Sequence, residues 1–459
     1  KIVIANRGEI AIRIARSAAD LGIRSHAVYS EDDRDSDHTR KSDQAHALRG
    51  QGPAAYLDAT QIIRVAREAG CDAIHPGYGF LSENADFARQ CAEASIRFVG
   101  PSPKALDIFG DKAKARRLAT RCEVPILPGT DGATTLAQAQ SFLRSIGPAG
   151  GLMIKAIAGG GGRGMRPVRD PQELESAFER CRSEALQAFG SGEVYVEKLL
   201  SPARHIEVQV IGDGSGEVTH LWERECSLQR NRQKLVEIAP APGLPRPLRD
   251  ALIEAALRMA RTVKLGSLAT FEFLVGPSGK NAVEFAFIEA NPRLQVEHTV
   301  TEEVTGIDLV RVQLELADGK SLKDLGLPTS RIPAPRGMAM QLRVNAESMS
   351  PDGMVRPAAG VLEAFDPPSG PGVRVDTCGH GGFRSNPRFD SLLAKVIVHG
   401  RDRAEALARM GQALDSFILE GVTTTIPFLS RVIRSPAFVS GKIDTRFLER
   451  ESHLLTPDK

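Results

Sequence analysis

Short apolar runs alternate with longer amphipathic stretches through residues 1–100 of the chain. The short runs are typical of strands, and the longer stretches are typical of helices that end at glycines such as Gly22 and Gly70. Strands separated by helices predict a parallel, doubly wound α/β sheet. The predicted strands are 2–5, 27–29, 73–75 and 97–99, and the predicted helices are 9–21, 58–69 and 83–94.

The pattern changes beyond residue 100. A helical segment covers 111–121, a compact α/β section follows, and the remainder is a larger mixed α+β region. Within that region, 269–275 and 283–290 flank a Gly-Pro-Ser-Gly turn and predict an antiparallel hairpin. The predicted division is a domain at 1–100, a helical linker at 101–125, a small α/β domain at 126–200, a larger region at 201–450 and a tail at 451–459.

One row of polar residues stands out in the larger region. From Glu289 to Glu297 every second residue is polar, with Asn291, Arg293 and Gln295 between the two acids. In an extended chain these side chains would share one face. A solvated strand would alternate in the same way, but this set can hold a divalent cation at one end and an oxyanion at the other, with a carboxylate left to move a proton.

Acidic residues also pair across the predicted hairpin. The hairpin would bring Glu272, which lies between two phenylalanines, close to Glu289. Two surface acids are the alternative, and the neighbouring aromatic residues make it less favoured. Paired carboxylates on a sheet suit Mg²⁺ that is shared with substrate phosphates.

A glycine-rich turn joins two predicted strands in the 126–200 section. The apolar run 152–157 is interrupted by Lys155 and leads into Ala158-Gly-Gly-Gly-Gly-Arg-Gly-Met165. The turn lacks the G-K-[ST] of a P-loop, and no helix starts directly after it. We expect a hairpin lid whose backbone N–H groups close over phosphates, with a phosphate as the partner of Lys155. An unstructured glycine linker is the alternative.

Composition and charge exclude several classes of protein. A chain of 459 residues is too long for one core, and its 42% hydrophobic and 25% charged residues are ordinary for a globular protein. The net charge of +2 gives no general attraction to nucleic acid or anionic membranes, and no apolar run reaches the roughly 18 residues that span a bilayer. The six cysteines form no C-x-x-C pair, so we expect neither a zinc site nor a disulfide framework, and a cytoplasmic or organelle-matrix location.

Five strings together resemble the biotin carboxylase component of biotin-dependent carboxylases, a member of the ATP-grasp superfamily. They are 1–10, 75–84, the glycine-rich turn, 289–298 and 389–391, and the resemblance runs from about residue 1 to 448. It implies an N-terminal parallel α/β domain followed by an ATP-grasp fold, in which 126–200 is the lid. The implied reaction phosphorylates bicarbonate with ATP to carboxyphosphate, and the carboxyl group then passes to N1′ of biotin on a carrier domain.

The resemblance implies nucleotide and metal contacts at matching positions. The implied metal ligands for Mg²⁺ or Mn²⁺ are Glu272 and Glu289, with Asn291 beside them. Arg232 stands where the family more usually has His, so one ribose contact is not implied. The implied ATP contacts are Lys112, Lys155, Gly159, Gly160, Gly161, Gly162, Gly164, Met165, Glu197, Lys198, Leu200, His205 and Gln229.

The remaining implied roles concern bicarbonate and biotin. By resemblance, the bicarbonate cradle is formed by Arg293, Gln295 and the Val296 backbone, and the base is Glu297. Lys234 is the implied phosphate and bicarbonate contact, and Arg343 is the group that stabilises the biotin enolate. Tyr78 and Gly79 match positions near the biotin ring. The residue types suit these roles. Arginine binds a flat anion bidentately better than lysine does, and neighbouring cations keep a carboxylate base ionised.

Two alternative functions are less favoured by the sequence. One alternative is another ATP-grasp ligase, for example half of a carbamoyl phosphate synthetase large subunit. Such a subunit carries two homologous halves, and no second copy is found in this sequence. Loss of a metal acid or of Glu297 would have favoured a non-catalytic nucleotide-binding module, and all are present.

The chain lacks an initiator Met, a carboxyltransferase domain and an Ala-Met-Lys-Met string, so we expect a piece of a longer polypeptide or separate partners. We expect a biotin carrier domain, a carboxyltransferase and a homodimer or larger oligomer, and the Asn291-Pro-Arg293 form favours an acyl-CoA acceptor over pyruvate or urea.

Overall fold

The N-terminal part of the chain is a parallel sheet flanked by helices. The computed structural model describes residues 1–147, 151–157, 164–277, 285–329, 332–350 and 354–455. The first elements are β1 Ile2–Ile4, α1 Gly8–Asp20, β2 Ser25–Tyr29, α2 Asp37–Arg40, β3 Gln44–Ala47, α3 Pro53–Tyr56, α4 Ala59–Glu68, β4 Ala73–His75, α5 Ala85–Glu93 and β5 Arg97–Phe98. The five strands have the order β3-β2-β1-β4-β5, and all neighbours are parallel, which confirms the predicted doubly wound fold.

Local signals explain the predicted elements, and their weakness explains the missed ones. The Asp58 side chain accepts a hydrogen bond from the Gln61 amide and caps α4, and Asn84 caps α5 in the same way. Strand β3 was not predicted because it lies at the sheet edge and its residues are mostly exposed, so it needs no apolar run. The four-residue helices α2 and α3 were also missed, since so short a segment shows no clear period.

The middle of the chain begins with two helices and a small α/β layer. Its elements are α6 Pro103–Phe109, α7 Lys112–Arg121, α8 Leu136–Ser145, β6 Leu152–Ala156, β7 Met165–Val168, α9 Leu174–Phe189 and β8 Val194–Lys198. The three antiparallel strands have the order β7-β6-β8 and pack against α8 and α9 around a separate core that includes Ile154 and Phe178. We refer to residues 136–198 as the small domain.

An eight-stranded sheet forms the centre of the molecule. Strands β9 Arg204–Asp213, β10 Val218–Arg230, β11 Gln233–Ala239, β12 Gly266–Val275 and β13 Phe285–Asn291 are joined with helices α10 Arg246–Thr262, α11 His298–Thr305 and α12 Leu309–Ala317. The predicted hairpin is confirmed as the antiparallel pair β12–β13, in which Glu272 lies directly opposite Glu289. A core on one side of this sheet includes Phe271, Phe273 and Leu252.

The C-terminal part continues the same sheet. Its elements are β14 Met338–Asn345, β15 Glu347–Met349, β16 Val355–Pro357, β17 Gly360–Val361, β18 Ala364–Asp366, β19 Val373–Thr377, β20 Arg384–Ser385, β21 Leu392–Gly400, α13 Arg403–Ser416, β22 Ile418–Glu420, α14 Ile426–Arg434, α15 Pro436–Val439 and α16 Phe447–Arg450. The full order is β13-β12-β9-β10-β11-β14-β21-β19, so residues far apart in sequence lie on neighbouring strands. Among the described residues, no helix has the length and apolar character needed to cross a membrane.

Candidate active site

A buried lysine lies at the centre of the acidic residues of the large sheet. The Lys234 Nζ atom on β11 lies 2.6 Å from Glu207 Oε2, 3.0 Å from Glu272 Oε1 and 2.5 Å from Glu297 Oε1. It also lies 3.3 Å from Gln295 Oε1. Burial disfavours the ammonium ion, but the three carboxylates outweigh burial and raise the pKa of Lys234 well above its usual value. The lysine therefore remains charged and holds the acids together.

Glu297 is held between two cations. Its second carboxylate oxygen, Oε2, accepts a hydrogen bond from Arg343 Nη2 at 3.0 Å. Burial alone would raise the pKa of Glu297, but Lys234 and then Arg343 lower it to about 2. Both cations thus favour the ionised form of this carboxylate.

The predicted row of polar residues does not lie along one strand. Strand β13 ends at Asn291, and Pro292, which has no backbone N–H, follows. Arg293, Gln295 and Glu297 lie in the turn that leads into α11, so the prediction of one continuous extended face is wrong beyond Asn291. The turn still brings Gln295 and Glu297 to Lys234.

Glu272 is surrounded by hydrogen-bond donors. Asn291 Nδ2 donates to Glu272 Oε1 at 2.9 Å, and Gln295 Nε2 donates to the same oxygen at 3.2 Å. His205 Nε2 lies 2.8 Å from Glu272 Oε2, and Gln229 Nε2 lies 2.9 Å from His205 Nδ1. Burial opposes protonation of His205, but the charge of Glu272 outweighs it and raises the histidine pKa.

The predicted metal ligands lie on one hairpin, and their oxygen atoms suit magnesium. Glu289 Oε2 lies 3.9 Å from Lys112 Nζ, at the start of α7, and Lys112 is buried, so it is not a solvated lysine. Burial lowers the pKa of Lys112, while Glu289 opposes that effect. Carboxylate and amide oxygens are the ligands that Mg²⁺ prefers, so Glu272, Glu289 and Asn291 fit this ion by donor chemistry.

Two other groups of possible metal ligands lie close to these residues. Within the described part of the chain, the atoms of His205, Glu207 and Glu272 lie within 4.8 Å of one another, as do those of Glu207, Cys226 and Glu297. Lys234 contacts the acids of both groups, and its charge already offsets theirs. Burial raises the pKa of Cys226 well above its usual value, so its thiol stays protonated and is a poor metal ligand.

Arg293 and Tyr78 join this site to the N-terminal domain. Arg293 Nε lies 2.5 Å from Glu83 Oε1, so the guanidinium expected to bind bicarbonate is paired with a carboxylate of the 75–84 string. The Tyr78 hydroxyl donates to Glu9 Oε1. Asn6 Nδ2 donates to the carbonyls of Pro76 and Tyr78 at 2.7 and 2.8 Å, which fixes the turn that also carries Gly79.

The small domain places a second lysine near the site, with a different partner from the one expected. Lys155 Nζ pairs with Glu197, and Arg116 Nη1 lies 3.2 Å from the other oxygen of Glu197. The buried lysine therefore has a carboxylate partner, and no phosphate is needed to explain its burial. The roles of Lys155 and Glu197 as ATP contacts stay predictions.

The segments with the predicted ATP contacts in and next to the small domain are only partly described. Gly159, Gly160, Gly161 and Gly162 lie outside the described residues. Gly164 precedes β7, and the carbonyl of Met165 accepts a hydrogen bond from Arg232, the residue that departs from the family pattern. In the 197–200 segment, the Lys198 amide donates a hydrogen bond to the carbonyl of Pro128 at 2.7 Å, so that amide is already paired. The roles of Lys198 and Leu200 as ATP contacts stay predictions.

Several residues of the site were not singled out from the sequence. Glu207 contacts Lys234, Glu237 lies 2.6 Å from Arg343 Nη2, and Glu83 pairs with Arg293. Arg224, which is fully buried, lies 2.5 Å from Glu207 and donates to Gln209 Oε1 at 2.9 Å. The alternation of His205, Glu207 and Gln209 with apolar residues, and the acid of Leu235-Val-Glu-Ile238, are signals that could have found two of them.

Three family models match successive parts of the chain. Residues 1–106 match the biotin carboxylase N-terminal domain, and residues 341–450 match the biotin carboxylase C-terminal domain. Residues 111–325 match the carbamoyl-phosphate synthase L chain ATP binding domain. The models cover the same three regions in which the sheets and the site were found.

Individual relatives agree with these matches. A mouse mitochondrial pyruvate carboxylase is 47% identical over 99% of this chain, which spans only 38% of that protein. The biotin carboxylase domain of the 2-oxoglutarate carboxylase of Hydrogenobacter thermophilus, solved as a dimer with MgADP, ADP and bicarbonate, is 39% identical with a TM-score of 0.94. This likeness covers 100% of this chain and 99% of that one. A single-chain, multi-domain long-chain acyl-CoA carboxylase is 44% identical with a TM-score of 0.86, over 100% of this chain and 43% of that one.

Proposed function

Because the chain belongs to the biotin carboxylase family of ATP-dependent ligases, we propose that it carboxylates biotin, using bicarbonate and ATP. Its substrates would be ATP with Mg²⁺ or Mn²⁺, bicarbonate, and biotin linked to a carrier domain. The MgADP and bicarbonate in the Hydrogenobacter relative support this choice. The observation that carries the proposal is the position of Glu297, an ionised carboxylate in direct contact with both Lys234 and Arg343.

The electrostatics of Glu297 suit a base that becomes stronger when substrates bind. With Lys234 and Arg343 as its partners, its pKa of about 2 makes it ionised but weakly basic. The negative charges of bicarbonate and of the ATP phosphates would share these cations, and the pKa of Glu297 would then rise. Proton acceptance is thereby favoured when both anionic substrates are present.

The first step follows from this arrangement. Glu297 accepts the bicarbonate proton while a bicarbonate oxygen forms a bond to the γ-phosphorus of ATP and the bond to ADP breaks, which yields carboxyphosphate. Arg293, Gln295 and the Val296 backbone would orient the bicarbonate, and Arg293 must then share its guanidinium between Glu83 and the substrate. A bound Mg²⁺, held by Glu272, Glu289 and Asn291, would supply charge stabilisation at the phosphates.

The second step needs a cation beside biotin. The ureido nitrogen of biotin is a poor nucleophile until the charge that develops on its oxygen is stabilised. Arg343 is the cation proposed for this task, since Glu237 and Glu297 hold its guanidinium in place on β14. Tyr78 and Gly79, on the turn fixed by Asn6, are the residues proposed to lie near the ring.

A turnover assay tests the proposed function. We expect the purified protein with Mg²⁺ and ATP to release ADP when bicarbonate is present, and to do so faster when biotin or a biotinylated carrier is added. A different ATP-grasp ligase would not respond to biotin, and a non-catalytic module would bind ATP without releasing ADP. Either result in folded protein would contradict the proposal.

The low pKa of Glu297 predicts a pH profile. Because the pKa of Glu297 is about 2, this carboxylate stays ionised throughout the interval from pH 7 to pH 5. We therefore expect no loss of kcat/KM for bicarbonate from protonation of Glu297 as the pH falls over this interval. Bicarbonate concentrations must be corrected for conversion to CO₂ at each pH. A decline over this interval that shifts in a Glu297→Asp variant, with folding unchanged by circular dichroism, would contradict this assignment.

The carboxyl acceptor, the partners and the location belong to the whole protein and are proposed separately. The sequence favoured an acyl-CoA, whereas the curated relatives include proteins named pyruvate carboxylases, and the names of the solved structures include 2-oxoglutarate and acyl-CoA carboxylases. We propose pyruvate as the first acceptor to test. A carrier domain, a carboxyltransferase, a homodimer or larger oligomer and a cytoplasmic or matrix location are proposed on the same relatives.

A further inference from the structure

A fully buried lysine of the C-terminal region contacts the turn before α11, which carries the residues proposed to bind bicarbonate. Lys395 on β21 has no exposed surface. Its Nζ atom lies 3.0 Å from Glu9 Oε1 and 3.6 Å from Asp376 Oδ2, and it donates to the carbonyl oxygen of Val296 at 3.3 Å. One side chain thus joins α1, β19 and the turn before α11.

The carbonyl contact is not needed to neutralise the lysine. A buried ammonium ion requires a negative partner, and Glu9 and Asp376 already supply two. Lys234, Arg343 and Arg293 are the cations proposed to contact bicarbonate or biotin, and each has its own carboxylate partners. The contact with Val296 therefore has a positional rather than a charge-balancing role.

Two successive backbone carbonyl groups of the turn contact side chains other than Lys234. His298 Nδ1 lies 2.6 Å from the carbonyl oxygen of Gln295, next to the Val296 carbonyl that Lys395 holds. Burial, and then the charge of Lys395, lower the pKa of His298 well below its usual value, so the ring is neutral and its Nδ1 donates the hydrogen bond.

Peptide planarity carries this restraint to the other side of the turn. In a trans peptide the N–H points opposite to the preceding carbonyl. Holding the Gln295 carbonyl fixes the direction of the Val296 N–H, and holding the Val296 carbonyl fixes the plane that leads into Glu297. The side chains of Gln295 and Glu297, on either side of Val296, both contact Lys234.

Lys395 is also connected, through Glu9, to Tyr78, a residue proposed to lie near the biotin ring. Glu9 Oε1, its carboxylate partner, also accepts the Tyr78 hydroxyl hydrogen bond. Burial, and then Glu9, raise the pKa of Tyr78 well above its usual value, so the hydroxyl keeps the proton that it donates.

We propose that Lys395 is a positioning residue that orients the Val296–Glu297 backbone for bicarbonate and, through Glu9, the Tyr78 hydroxyl for biotin. This inference rests on the proposed function. Its removal should weaken the use of bicarbonate and leave ATP binding intact.

The test removes the lysine together with the negative charge that it pairs with on Glu9. The Lys395→Met variant alone would remove the cation that pairs with Glu9 and could fail to fold, whereas Asp376 would keep its ion pair with Arg374 Nη2 at 2.8 Å. The double variant Lys395→Met/Glu9→Gln is therefore compared with it. The glutamine introduced at position 9 can still accept the Tyr78 hydroxyl hydrogen bond through its amide oxygen. Because a small misplacement of a reacting group can cost about 10²-fold, we expect bicarbonate-dependent turnover to fall by roughly that factor, with KM for ATP unchanged.

A matched control separates positioning from stability. Arg409 donates to the carbonyl of His399, at the far end of the same strand, and lies 2.7 Å from Glu405 Oε1, so Arg409→Met removes the same two kinds of contact. We expect the Arg409→Met variant to keep the native bicarbonate kinetics even if its free energy of unfolding is lower than that of the native protein. If the double variant has native bicarbonate kinetics, or if KM for ATP and for bicarbonate rise together, the positioning role is overturned.

Hydrogen exchange gives a readout that needs no turnover. Peptides covering 294–299 should exchange faster in the double variant than in the native protein or the Arg409→Met variant. If the native protein shows no bicarbonate-dependent ADP release, the proposed function fails, and this comparison still decides whether Lys395 holds the turn. Equal exchange in all three proteins would overturn the inference.

Discussion

Replacing Glu297 by glutamine should abolish most bicarbonate-dependent turnover while ATP still binds. The amide cannot accept the bicarbonate proton, and loss of a general base costs on the order of 10²–10⁴-fold. The amide also carries no charge to share between Lys234 and Arg343, which contact the two carboxylate oxygens at 2.5 and 3.0 Å. Initial rates of ADP release and an ATP-binding titration measure the two effects separately.

A matched control for this substitution lies on α12. Glu315 Oε1 also contacts two cations, Lys320 at 2.9 Å and Arg311 at 3.5 Å, but it lies outside the candidate site. Glu315→Gln should therefore retain native turnover. Near-native turnover of Glu297→Gln would show that another group is the base, and Glu207, which contacts the same lysine, would be the next residue to substitute.

The second large effect is expected at Arg343. Arg343→Ala should keep much of the bicarbonate-dependent ATP cleavage but lose carboxybiotin, because its proposed role falls at the biotin step. Removing one preorganised donor at a developing oxyanion costs about 10²–10³-fold. The measurement is the ratio of carboxybiotin formed to ADP released, with free biotin as acceptor.

The structure shows what must be controlled in that experiment. Arg343 is the partner of the fully buried Glu237, and breaking a buried ion pair typically costs about 3–5 kcal/mol. Arg343→Ala/Glu237→Gln removes the stranded charge, and Arg249→Ala, which strands the equally buried Glu223, serves as a control for stability alone. An equal loss of ATP cleavage and carboxybiotin in the double variant would contradict the separation of steps.

Local sequence patterns were sufficient to predict one hairpin and the N-terminal sheet. The hairpin β12–β13 was predicted from two apolar runs and a turn, and its register places Glu272 opposite Glu289. The parallel N-terminal sheet followed from alternating strand and helix signals. Both depend on side-chain period and turn residues, which are properties of a short stretch of chain.

Local pattern failed where the backbone changes direction. The alternation from Glu289 to Glu297 predicted one extended face, but the strand ends at Asn291 and the next three polar side chains belong to a turn. The turn nevertheless brings Gln295 and Glu297 to Lys234, and their proposed roles stay predictions. Arg293 points to Glu83 of another domain, a partner that no feature of the row could indicate.

The sequence by itself determined the family and the fold class, and it indicated most of the residues proposed for catalysis, because short motifs and the periodicity of apolar residues carry this information. Only the tertiary structure decided which charges meet. Lys234 contacts acids from β9, β12 and the turn before α11, and Lys395 joins three distant segments. Such contacts depend on the strand order of a sheet that runs from β13 to β19, and strand order is set by the burial of whole faces, not by any local run of residues.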